Sequence, residues 1–471
     1  TSGILRVALR RAATCALWVF VYKLCAVDVV GVLTGSMEPT VIGRPERGDQ
    51  VLMDRLAYVF DAPERFDAVF FRFPQNRAVT YLKRIVGLPG EQIVLKDGDL
   101  WLGDPDWFGD VDEGVARGKI RRLRKPEALQ RALFDRFTVA EAPKDAPFDF
   151  ARFDRLFDAP PATRARWTET ADGALRGDGD EPPDRLPWAR LKRPLTDFLP
   201  DPLAPAADPA APAPGTGGAY SVGDAAFEAL VRLPRGGAVH FRLDDPRTGE
   251  RRTARFARDA DGRGTATLTD ASGGATAAAG PLPADGWARV RFEAVDGALR
   301  AFVDDVLVAS AEAPGKAATS PPAGGVFLAA TGGAEVRAPR VCRDLYWIPD
   351  GQTRFFVPSG AYLCLGDHPS ESSDARLWRV TVVEETATGR RFEGDADGVR
   401  PGAARADGRN PRSHDDGSVE FVDRDNVRRV YSGDRELFTL GSYRAPYIPR
   451  EALLGRAVAV VWPPERAGFV R

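Results

Sequence analysis

The 471-residue chain reads as mainly β. Two observations carry that reading. Short apolar runs of strand length recur between turn-forming Gly, Asp and Pro positions over residues 27–103. Residues 219–345 then alternate in short strands with frequent turns, the pattern of an all-β sandwich.

The elements follow in chain order. Ala12 to Tyr22 are nearly all apolar and follow Arg6, Arg10 and Arg11, while Lys23 and Asp28 interrupt the run. A membrane span needs about 20 apolar residues, so this one is short, although Lys23 could snorkel to an interface. Two readings stand for residues 1–30: an N-terminal membrane-anchor helix, or a buried element of a soluble domain. On the first, the basic flank orients the start of the chain to the cytoplasm and the rest outside. Val51–Met53 and Ala68–Phe71 are strand-length runs, punctuated by Gly48-Asp49, Pro89-Gly90 and Asp97-Gly98. Residues 104–200 lose this pattern and read as irregular, with one amphipathic helix over Pro126–Phe137 opened by its proline. Residues 201–218, rich in Ala and Pro, have a linker composition.

Within 219–345, Phe227–Leu233, Val239–Leu243 and Val290–Val295 have strand patterns, and Ala301–Ala309 reads as a hairpin turning at Asp304-Asp305. Trp287–Phe292 and Val295-Asp-Gly297 resemble the concanavalin-like, laminin-G-like jelly roll. That resemblance implies a fold; a glycan or a protein is the ligand such a jelly roll could take. Residues 346–378 return to strands and turns, 379–446 hold strand-like runs around a polar loop at Asp395–Gly417, and 447–471 close with the apolar run Leu454–Trp462.

Composition excludes some functions. Hydrophobic residues make up 44%, so a sizeable core is expected. Lys plus Arg number 65 against 67 Asp plus Glu, a net charge of -2, which gives no electrostatic reason to expect nucleic acid as a partner. The four cysteines, Cys15, Cys25, Cys342 and Cys364, form no C-x-x-C motif, and no His/Asp/Glu spacing suggests a catalytic metal. No cofactor is expected. A Cys342–Cys364 disulfide is open on sequence grounds.

Three segments carry chemistry. Gly35-Ser36-Met37-Glu38-Pro39-Thr40 sets a hydroxyl in a sharp turn. Tyr81-Leu82-Lys83-Arg84-Ile85-Val86-Gly87-Leu88-Pro89-Gly90 sets a lysine in a strand, with Leu82 and Arg84 on the face opposite Lys83. Val357–Asp367, followed by Ser372-Ser373-Asp374-Ala375-Arg376, ends a strand in a Gly366-Asp367 turn. Taken singly, each is more often an ordinary turn, a snorkelling lysine or a surface ion pair.

Together and in this order, they closely resemble signal peptidase I. Its Ser-Met-x-Pro-Thr box matches Ser36–Thr40, its Lys-Arg-x-x-Gly-x-Pro-Gly box matches Lys83–Gly90, and its distal Gly-Asp…Ser-x-Asp-Ser-Arg box is nearly matched by Gly366–Arg376. The intervening Arg47–Val51 pattern agrees as well. The distal box departs at His368–Glu371 and at Ala375, while Ser372, Asp374 and Arg376 stay in register. The resemblance implies a split catalytic core, 31–103, 346–378 and 447–471, interrupted by the insertions. It also implies a serine endopeptidase with Ser36 as nucleophile and Lys83 as general base, Ser372 orienting Lys83, and an oxyanion hole of the Ser36 N–H and the Thr34 hydroxyl. Gly366, Asp367, Asp374 and Arg376 become structural support. The implied partners are signal peptides of preproteins and membrane lipid. The implied location is the inner membrane, with the catalytic part on its extracytoplasmic side.

The dyad makes a physical demand. Free lysine, with a pKa near 10.4, is neutral in only about one molecule in 2,500 at pH 7, so a lysine base requires burial. A Ser-His-Asp site would have to use His240, His368 or His414, none of which has the right motif around it. A self-cleaving repressor-type Ser/Lys protease would need a DNA-binding domain before Ser36, where the sequence has no room for one. A non-catalytic surface-binding protein leaves Ser36, Lys83 and Ser372 unexplained.

Overall fold

The computed structural model describes residues 26–142, 146–179, 186–197, 220–270, 272–279, 282–283, 286–313, 324–349, 351–398 and 409–470, with Arg11 and Thr14. The expected anchor therefore lies almost wholly outside the described residues, and so do Cys15, Cys25 and the 201–218 linker. No helix among the described residues is long and apolar enough to cross a membrane. The chain is mainly β and divides into two compact units, residues 1–123 with 347–471, and residues 124–346.

The first unit is built on an eight-stranded antiparallel sheet. In order across it lie β1 (Val27–Gly31), β2 (Gln50–Asp54), the strand Leu453–Trp462, β3 (Ala68–Arg72), β4 (Thr80–Gly87), the strand Ala361–Leu365 and the strand Tyr447–Pro449; Gly468–Phe469 pairs with Leu453–Trp462. β3 and β4 are buried along most of their lengths because both of their faces are covered, and β4 carries Lys83 and Arg84 within that buried stretch. One of those faces carries the core of Val32, Met37, Val41, Val51, Met53, Phe70, Leu82 and Val460. On the other, Phe71, Phe73, Tyr81 and Trp378 form an aromatic cluster with ring centroids 4.6–6.1 Å apart. Within residues 379–398 and 409–446 lie two three-stranded sheets with a small core of Val383, Val419, Phe421, Tyr431 and Leu437. Arg412–Ser413, read as part of a polar loop, is a short strand there.

The second unit is a sandwich of an eight-stranded and a seven-stranded antiparallel sheet. The hairpin read at Asp304-Asp305 is present, and a second one turns at Asp296-Gly297. Asp304 and Asp305 have φ of 46° and 66°, and Asp296-Gly297 has 50° and 72°, the left-handed geometry of a two-residue turn. The 104–200 segment differs from its irregular reading. From residue 124 onward it belongs to the sandwich, supplying Thr138–Glu141, Trp167–Glu169 and Leu175–Gly177 to one sheet and Phe157–Asp158 and Ala189–Leu191 to the other. These strands have two to four residues, too short for an alternating pattern to register. The helix runs Glu127–Arg136 with Pro126 as its cap, and buries Leu129, Gln130, Leu133 and Phe134 on one face. Cys342 and Cys364 are both free, buried thiols, so the disulfide left open by the sequence does not form.

Candidate active site

The three chemical segments converge in the first unit. β1 leads through extended Thr34 into a single 3-10 turn, Gly35–Met37. Met37 drops into the core and so fixes the turn, while the Glu38 N–H closes it on the Gly35 carbonyl at 2.9 Å. The turn is backed closely by Gly43, where any Cβ would stand 1.8 Å from the Thr34 carbonyl oxygen. Glu38, nearly fully buried, accepts from the Gly43 N–H at 3.2 Å and pairs with Arg44.

Lys83 lies on β4 opposite Val69 of β3, and alternation sends Leu82 to the face away from it. Its Nζ is 2.6 Å from Ser36 Oγ, and both side chains are buried. The ammonium nitrogen also stands 5.3 Å from the centre of the Tyr81 ring. Burial pushes the Lys83 pKa down to about 8; Asp374 pulls it back up, Arg376 adds to the lowering, and Asp367 again opposes it. Thr34 Oγ1 is 3.5 Å from Ser36 Oγ.

The distal segment locks this pair of strands to the serine turn. Asp367, fully buried, accepts from Arg84 Nε at 2.8 Å, from Arg84 Nη2 at 2.6 Å and from Thr40 Oγ1 at 2.6 Å. One carboxylate thus holds a residue beside the lysine and a residue just after the serine. Arg84 also donates to the Phe66 carbonyl at 2.7 Å. Asp374 and Arg376 are a buried bidentate pair at 2.8 and 2.9 Å, not a surface one. Asp374 further accepts from the Gly366 N–H at 3.0 Å, and Arg376 donates to the Ile348 and Pro369 carbonyls, both at 2.9 Å. The His368 N–H reaches the Ser36 carbonyl at 3.2 Å.

Ser372 departs from its expected part. Its Oγ is buried and has no hydrogen-bond partner among the described residues, so the bond to Lys83 is not made. Lys83 Nζ is turned to Ser36, and Ser372 packs on Gly366 instead. A Cβ at Gly366 would lie 2.2 Å from Ser372 Oγ and 2.4 Å from the Ser36 carbonyl oxygen, so only glycine fits between the Ser372 side chain and the Ser36 backbone.

Thr40 and Arg84 were not singled out as site residues. Both stand inside the recognised boxes, but their shared partner lies 327 and 283 residues away, and no local pattern links them. None of the three histidines is a hydrogen-bond partner of Ser36 Oγ in the described structure; His240 belongs to the sandwich.

Comparison with known proteins agrees with the geometry over the first part of the chain. Residues 5–110 match the family described as signal peptidase, peptidase S26. Signal peptidase I of Pseudomonas aeruginosa is 34% identical over 87 residues, covering 16% of this chain and 29% of that protein. Signal peptidase I V of Bacillus subtilis is 36% identical over 67 residues, 14% and 36%. Signal peptidase I of Rickettsia massiliae is 29% identical over 113 residues, 18% and 41%. The matched part thus spans about three to four tenths of these relatives' lengths. Among solved structures, a galectin of Caenorhabditis elegans aligns with 26% of this chain and 84% of its own at TM-score 0.20 and 19% identity. A galectin-like protein of Bacillus subtilis aligns with 44% and 96% at TM-score 0.29 and 11% identity.

Proposed function

Because residues 5–110 match the signal peptidase family, peptidase S26, we propose that this chain is a serine endopeptidase that removes signal peptides from exported preproteins at the extracytoplasmic face of the inner membrane. The observation that carries this is the 2.6 Å approach of a buried Lys83 Nζ to Ser36 Oγ. With its pKa near 8, Lys83 is neutral in roughly one molecule in ten at pH 7, against about one in several thousand for a free lysine. Neutral Lys83 accepts the Ser36 proton as Oγ bonds to the scissile carbonyl carbon. The carbonyl π electrons move to oxygen, where the Ser36 N–H and the Thr34 hydroxyl receive the negative charge. The ammonium of Lys83 then protonates the departing amine as the C–N bond breaks, leaving a Ser36 acyl ester. A water that gives its proton to Lys83 hydrolyses that ester and restores the serine.

The buried Asp367 and Asp374 networks act as scaffold. They hold the serine turn and the lysine strand in place, so that Ser36 and Lys83 start the reaction already aligned.

The test is to incubate the purified full chain in detergent or vesicles with a preprotein and to sequence the products. One cut at the end of the signal peptide, after a small residue, is expected. No cut, or cuts scattered through the mature part, contradict the proposal. Thr34→Val should lower kcat roughly 10²-fold with KM little changed, the signature of a lost oxyanion donor. An unchanged kcat removes Thr34 from the mechanism.

A further inference from the structure

The seven-stranded sheet of the sandwich has two unlike faces. Phe241, Leu328, Ala254 and Leu268, adjacent across four strands, are all buried at 0–1% exposure and face the sandwich interior. The residues between them therefore point outward. One outward row, read from the pairing register, is Arg190, Phe327, Arg242, Thr253, Thr269. The next runs through His240, Arg255 and Thr267. A solvated sheet face is ordinarily polar, but this one combines cations, rings and hydroxyls in register.

Several details separate it from a plain solvated surface. The Arg242 guanidinium is held 3.7 Å over the Phe327 ring and 4.8 Å from the Trp188 ring, so it is already oriented. Its Nε is buried and has no hydrogen-bond partner among the described residues. Its one ion pair among the described residues, to Asp244, is at 3.3 Å. The Arg255 side chain is exposed and makes no ion pair or hydrogen bond among the described residues. Trp188 is half-exposed at the end of the row. At the other end, Asp244, Arg251, Thr253, Thr269 and Asp270 line a recess of about 390 Å³.

We propose that this outer face binds an acidic oligosaccharide, one whose sugar rings carry carboxylate groups. Guanidinium groups take carboxylates in a fork of two charge-assisted hydrogen bonds, which suits the unsatisfied Arg242 Nε and the unpaired Arg255. An indole at the margin offers a flat apolar platform to the C–H face of a pyranose ring. The threonine hydroxyls and Asp244 beyond it match the ring hydroxyls, as donors and acceptors. A bare phosphate would leave Trp188 and the hydroxyl row without a role. This site is independent of the peptidase reading and stands or falls separately from it.

The full chain should be titrated calorimetrically with a short oligogalacturonate, with its fully methyl-esterified form, and with inorganic polyphosphate. The acid form is expected to bind and the uncharged ester to bind roughly tenfold or more weakly, the usual effect of losing a charge-assisted pair. Arg255→Ala, at an exposed and unpaired position, and Trp188→Ala should each weaken the acid form by a similar factor. Absence of binding by the acid form, equal binding of acid and ester, or indifference to Arg255→Ala overturns the proposal. Tighter binding of polyphosphate, unaffected by Trp188→Ala, also overturns it in favour of a simple anion site.

Discussion

Lys83→Met is expected to lower preprotein cleavage roughly 10⁴-fold or more while the protein stays folded. The size follows from the number of proton transfers that pass through one nitrogen. Lys83 Nζ is the titratable group at hydrogen-bond distance from Ser36 Oγ, 2.6 Å away, and in the proposed mechanism it serves both the attack and the departure of the amine. Methionine matches the volume of the lysine stem and removes both functions. Rate against pH tests the same claim without mutation. With the Lys83 pKa near 8, kcat/KM should rise with pH to a plateau above that value.

Stability depends on the same proton and in the same direction. The folded pKa lies below the unfolded value of about 10.5, so the native state sheds this proton first. The penalty for burying the ammonium is present in full below pH 8 and is relieved as pH rises from 8 to about 10.5. It is worth about 3 kcal/mol, since each tenfold change in the protonation equilibrium corresponds to about 1.4 kcal/mol. Lys83→Met should therefore be more stable than the parent at pH 7, and the gap should close toward pH 10. Denaturant melts at those two pH values check it; a variant less stable at pH 7 contradicts the desolvated lysine.

Asp367→Ala is expected to cost about 3–5 kcal/mol, because it leaves a buried charge unpaired. Arg84 would lose both of its hydrogen bonds to Asp367, and Thr40 would lose its bond as well. A melting temperature lower by roughly 10 °C is the corresponding thermal signal for a unit of this size. Cleavage should fall too, since this carboxylate joins the serine turn to the lysine strand. The double variant Asp367→Leu with Arg84→Met should recover much of the stability, because it removes both charges together. Recovery of stability without recovery of cleavage would show that the network also positions the site. A single variant as stable as the parent would mean that the pair contributes nothing.

Much of the site was legible in the sequence, because its chemistry is written in short boxes. Ser36 and Lys83 stand in runs whose order and spacing are distinctive, and the structure brings them within one hydrogen bond. What could not be read were links between boxes. Thr40, Arg84 and Asp367 make one network across some 300 residues of chain, and no local periodicity encodes it. Ser372 shows the reverse. Its place in the distal box predicted a bond to Lys83, but its hydroxyl is left without a partner beside Gly366.

The fold was read to a similar depth. The hairpin at Asp304-Asp305 was clear from the sequence. The strands between residues 124 and 197 were not, since two to four residues carry too little alternation to stand out, and their role is set by distant neighbours such as Ala334–Arg343. The charged outer face of the seven-stranded sheet was hidden for the same reason. His240, Arg242, Arg255 and Thr253 look like ordinary strand polar residues until the register sets them side by side.

The account rests on Ser36 as the nucleophile, and trapping the acyl ester tests that most directly. The full chain should be mixed with a preprotein, quenched in acid within the first turnover, and analysed by peptide mass. The expected adduct is the signal-peptide acyl group on the peptide that contains Ser36, absent from Ser36→Ala, which should also fail to cleave. Cleavage that proceeds with no adduct on that peptide, or that survives in Ser36→Ala, contradicts the account.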